Sequence, residues 1–77
     1  MNREKEDQAI LQKLGKKIRA LRKEAGFTSY ETFANTHEFD RRYYFEMEKG
    51  ANMKLITLLK LARVHNIKLE EFFKDIG

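Results

Sequence analysis

Three features of this 77-residue sequence predict an all-α fold, a compact bundle of five short helices. Apolar residues recur at the spacing of one face of a 3.6-residue helix in successive segments, and none alternates with the two-residue period of a strand. Proline, low-complexity stretches and internal repeats are absent, so no segment reads as a linker. Glycine or asparagine follows several of the apolar stripes, where a helix C-terminus calls for a left-handed residue.

The first stripe runs Ile10, Leu11, Leu14, Ile18, Leu21 and Ala25, with Gly26 as its cap. Residues 1–9 are polar and read as an N-terminal extension that frays, ahead of a single domain over residues 10–77. Phe27 precedes Thr28 and Ser29, and either hydroxyl can start a short second helix: Thr28 has Glu31 at capping-box spacing, and Ser29 serves if the helix begins one residue later. Phe33 and Ala34 face the core. Residues 35–38 read as a turn, and Asp40 as the N-cap of a third helix that buries Tyr44 and Met47 and stops at Gly50. Leu55, Leu58, Leu59 and Ala62 mark a fourth helix. Ile56, Leu61 and Val64 make it apolar nearly all round, the pattern of a central helix or a subunit interface, with Asn66 as its cap. Leu69, Phe72, Phe73 and Ile76 repeat the spacing on a fifth.

Composition narrows the function classes. A chain of this size buries only about 60% of its unfolded surface, and with no cysteine it has neither disulfides nor thiolate zinc in support. That leaves helix packing or self-association. No apolar run approaches the ~18 residues of a membrane span and no signal-peptide pattern opens the chain, so a soluble cytoplasmic protein is expected. The net charge is +4. Residues 1–26 hold eight Lys or Arg against four acids, including Lys13, Lys16, Lys17, Arg19, Arg22 and Lys23, whereas residues 27–50 hold three against five. An anionic partner suits this balance, although a basic helix is also an ordinary solvated surface.

Catalysis finds no constellation. His37 and His65 have no partner at metal-ligand spacing, and there is no glycine-rich phosphate loop or serine-centred motif. The sequence therefore predicts no catalytic residue, no metal and no cofactor. What stands out instead is the pair of short helices at residues 29–36 and 41–49, joined by a turn of about four residues. That is helix-turn-helix geometry, in which the second helix enters the major groove of a duplex and the first crosses the backbone.

The segments LGKKIRALRKEAGF at 14–27, the pair Phe33-Ala34, FDRRYYFEMEKG at 39–50 and ITLLKLARVHNIKLEEFF at 56–73 resemble the phage repressor and Cro family. Bacterial regulators with a xenobiotic-response-element type of domain belong to that family, and the resemblance covers about residues 11–73. It implies a lambda-repressor-like, non-enzymatic domain that binds double-stranded operator DNA as a homodimer. It pairs Arg22 with Glu48 as a structural ion pair. It places Arg41, Arg42 and Glu46 against base edges, and Ser29, Tyr30, Lys49, Asn52 and Lys54 against phosphates. Arginine there suits guanine O6 and N7, and Glu46 can accept from cytosine N4. The sequence departs from the family pattern at Tyr30, where glutamine is usual, and at Glu38, where a turn glycine is usual. Phe45, in the run Tyr43-Tyr44-Phe45, falls on the outer side of its helix, where an aromatic ring meets a thymine methyl or a protein partner. Two other readings stand beside transcriptional regulation: a protein-interaction module on the same fold with little DNA binding, and an antitoxin or controller-type regulator.

Overall fold

The computed structural model describes residues 3–74 and Ile76. Five helices follow in order, α1 (Arg3–Glu24), α2 (Tyr30–Thr36), α3 (Arg41–Glu48), α4 (Leu55–Val64) and α5 (Glu70–Phe73), with no strand among the described residues. The described chain measures 41 × 24 × 21 Å. At 1.5 Å per residue α1 is about 33 Å long, more than either short dimension, and its residues 3–10 are exposed. Residues 3–9 are thus continuous with α1, while Met1 and Asn2 lie outside the described residues.

The core gathers Leu14 and Ile18 from α1, Phe33 and Ala34 from α2, and Tyr44 and Met47 from α3. Leu58, Leu61 and Ala62 of α4, Phe72 of α5 and Phe39 of the α2–α3 turn complete it. Ser29, not Thr28, caps α2, its Oγ accepting from the N–H groups of Glu31 and Thr32 at 3.1 and 3.3 Å. Asp40 caps α3, its Oδ2 accepting from the Tyr43 N–H at 2.8 Å. Helices α1 to α4 all end in one closing motif, a left-handed residue bracketed by two backbone bonds. Gly26, Gly50 and Asn66 fill that position for α1, α3 and α4. Glu38 fills it for α2, at φ 59°, without the freedom of glycine. The Phe39 N–H reaches the Ala34 carbonyl at 2.8 Å, and Lys60 Nζ donates to the Glu38 carbonyl at 2.9 Å. These bonds hold the turn despite its strain.

Two sequence expectations are corrected. Helix α5 is a single turn, so Ile76 packs on the core from beyond it and Phe73 points outward. Nor is α4 a central helix: Leu55 is 59% and Ile56 64% exposed. Ile56 lies opposite the stripe of Leu58, Leu61 and Ala62, and Leu55 projects from the first turn, past the end of that buried surface.

His65 stacks on Phe33, ring centroids 5.3 Å apart at 9°, and its Nε2 is buried without a hydrogen-bond partner. Burial pushes its pKa below the ordinary 6.5, nearby His37 adds to the effect, and Glu24 opposes it. The unfolded chain therefore binds a proton more readily than the folded one. Stability is expected to be level above about pH 7 and to fall as pH drops through about 6.5 and below. Urea midpoints across pH 5–8 check this, and His65→Leu should flatten the acid-side slope. An unchanged slope would place its origin elsewhere.

Candidate nucleic-acid interface

Helices α2 and α3 pack on each other through Phe33 and Tyr44, whose ring centroids are 5.0 Å apart. With Tyr44 and Met47 turned inward, the helical period leaves Arg41, Arg42, Phe45, Glu46 and Lys49 exposed. Arg41 and Arg42 stand in the first turn of α3, just past the Asp40 cap. Each meets a carboxylate: Arg42 Nε donates to Glu46 Oε1 at 3.3 Å, and Arg41 Nη1 lies 3.9 Å from Glu31 Oε2. All four side chains are well exposed, so these pairs contribute about 0–1 kcal/mol and release their arginines at small cost.

Of the residues expected to meet phosphates, Ser29 is half-buried and engaged in capping α2, and Tyr30 is half-buried against the core. The ring of Tyr30 lies 4.7 Å from that of Phe45. Lys49 follows α3 with its Nζ 5.4 Å from the Phe45 ring centroid, and Asn52 and Lys54 are exposed on the next loop. That loop is tied to α3 by a bond the sequence did not announce, the Lys54 N–H donating to the Tyr43 hydroxyl at 2.8 Å. Periodicity carries no signal for such a contact.

The far end of α3 is anchored to α1. Arg22 Nε and Nη2 donate to Glu48 Oε2 and Oε1 at 2.7 and 3.0 Å, and Nη1 donates to the Phe27 carbonyl at 2.9 Å. Both side chains are nearly buried, at 6% and 7% exposure. The hydrogen bond to Glu48 raises the Arg22 pKa further, against burial, so the guanidinium stays charged. Tyr44 is also buried, and its hydroxyl has no partner at hydrogen-bond geometry. Burial, reinforced by Glu48, pushes that hydroxyl well above the ordinary phenol range.

No family model matches the chain. It is 40% identical over 65 residues to control protein C.MunI of Mycoplasma sp, covering 83% of this chain and 88% of that one. It also resembles the crystal structure of the restriction-modification controller protein C.AhdI from Aeromonas hydrophila. There the identity is 39% and the TM-score 0.72, over 82% of this chain and 96% of the other.

The chain belongs to the restriction-modification controller proteins. These are DNA-binding helix-turn-helix regulators of transcription rather than enzymes. In this controller protein the described residues hold no cluster of metal-ligating side chains, and none of their helices is long and apolar enough to cross a membrane. Gly15 of the controller protein escaped the sequence reading. It sits at the crossing of α1 and α3, where an added Cβ would lie 2.7 Å from the Met47 carbonyl oxygen. The signal was available: a glycine inside a strongly periodic helix costs about 1 kcal/mol relative to alanine and implies a close approach.

Proposed function

We propose that this controller protein reads duplex DNA in a sequence-specific way with α3 in the major groove, and that it does so as a cytoplasmic homodimer of the phage repressor and Cro type. The observation that carries this reading is the outer face of α3, which keeps Arg41 and Arg42 exposed in its first turn while Tyr44, Met47 and Glu48 fasten its inner face to the body. In this reading Arg41 and Arg42 address base edges and Glu46 accepts from cytosine. Ser29, Tyr30, Lys49, Asn52 and Lys54 flank the groove on the phosphate side, a positioning role without sequence information. The uncovered Leu55 and Ile56 of α4 and Phe73 of α5 are the candidate surfaces for dimerisation.

Selection of bound duplexes from a random library tests the proposal. The expected product is a two-fold palindrome with half-site centres about 34–36 Å apart or a multiple of that. Its affinity should fall steeply with salt, since each neutralised phosphate releases counterion. No enrichment at low salt would remove DNA reading and favour a protein-interaction module. An asymmetric product would remove the two-fold dimer alone.

A further inference from the structure

Phe45 is a large apolar side chain that the fold leaves uncovered in the middle of the reading face. Tyr44 and Met47 carry the packing of α3, whereas Phe45 is 37% exposed and lies outside the core. Arg41 stands one turn before it, Lys49 one turn after it, and Arg42 three residues back, so all four share one exposed arc of the helix. The ring is also held in place. Tyr30 packs on it at 4.7 Å and the Lys49 ammonium lies 5.4 Å from its centroid. Tyr30, Glu31, Asp40, Arg41, Arg42 and Phe45 rim a single shallow depression. A braced ring loses little rotamer freedom on contact, which favours its use in recognition.

In the major groove the apolar group offered to a protein is the 5-methyl of thymine; the other base edges present donors and acceptors. Resting on the reading that α3 enters that groove, we infer that Phe45 is a specificity-determining residue that recognises thymine through this methyl group. The thymine lies next to the bases addressed by Arg41 and Arg42. Tyr30 is a positioning residue that acts through the Phe45 ring. Phe45 shares that arc with Arg41 and Arg42, whose exposed ion pairs with Glu31 and Glu46 are weak and release them to groove phosphates. The face that presents the ring thus also presents the cations a duplex attracts.

The test replaces each thymine of the selected duplex in turn by uracil, which removes only the methyl group. One position per half-site is expected to lose about fourfold in affinity, the effect of one methyl in apolar contact. Phe45→Ala should bind the thymine and uracil duplexes equally, and Tyr30→Ala should shrink the difference while Phe45 is intact. Phe45 is partly exposed and lies outside the core, so Phe45→Ala should stay folded, with the parent's helical content and a cooperative melt, which separates lost recognition from lost fold. Sequence-specific binding that ignores uracil everywhere would overturn the inference and leave major-groove reading standing. A uracil effect that survives Phe45→Ala would assign the methyl to another residue and overturn it too. So would a Phe45→Ala variant that loses self-association in sedimentation with its thymine preference intact, which would point to a second copy. Absence of any selected duplex would end both readings together.

Discussion

Replacing Glu48 with alanine is expected to destabilise the protein by about 3–5 kcal/mol. Arg22 and Glu48 bond bidentately and are almost fully buried, so removing the carboxylate strands a guanidinium in the interior. Its remaining bond, to the Phe27 carbonyl, does not neutralise it. A domain of this length is worth about 4–12 kcal/mol in total, so the variant should be partly unfolded at ordinary temperature. The urea midpoint measures the loss. Replacing both partners by apolar residues, Arg22→Met with Glu48→Leu, should recover much of it, because no buried charge is then left unpaired. A midpoint unmoved by Glu48→Ala would remove the pair from the account of stability.

Gly15→Ala is the second large effect, and its sign opposes helix propensity. In an isolated helix the change would stabilise by about 1 kcal/mol. Here the new Cβ would sit 2.7 and 2.8 Å from the carbonyl oxygens of Met47 and Glu48 and 3.0 Å from the Gly50 nitrogen. These are backbone atoms and cannot rotate aside as a flexible side chain would. Relief requires α1 and α3 to separate, which also strains the Arg22–Glu48 bond two turns further along α1. The net cost is expected to be about 2 kcal/mol, within the ordinary range for overpacking, read as a lower urea midpoint. A raised midpoint would mean that α1 and α3 do not approach as closely as this.

Much of the fold was legible because local rules and tertiary packing agree. Asp40 as a cap, Gly26 and Gly50 as helix ends, and Phe33, Tyr44 and Met47 as core residues follow from spacing and cap chemistry. Helices α4 and α5 were read less well. Periodicity reports that Leu55, Phe73 and Ile76 are apolar at helical spacing, but not how far the neighbouring surface extends to cover them. Glu38 marked a turn without its usual glycine, and only the structure shows the left-handed backbone and the Lys60 bond that accommodate it.

The sequence by itself determined which side chains α3 turns outward, because Tyr44 and Met47 at three-residue spacing fix the helix phase and leave Arg41, Arg42 and Phe45 on the other side. Tertiary structure alone decided what surrounds them. Tyr30 and Glu31 come from α2 and meet Phe45 and Arg41 across an interhelical gap, the Tyr43 hydroxyl ties down the Lys54 loop, and Gly15 lets α1 close on the end of α3. Helical period relates residues within one element; contacts between elements depend on packing distance and angle, which no single stretch of sequence encodes.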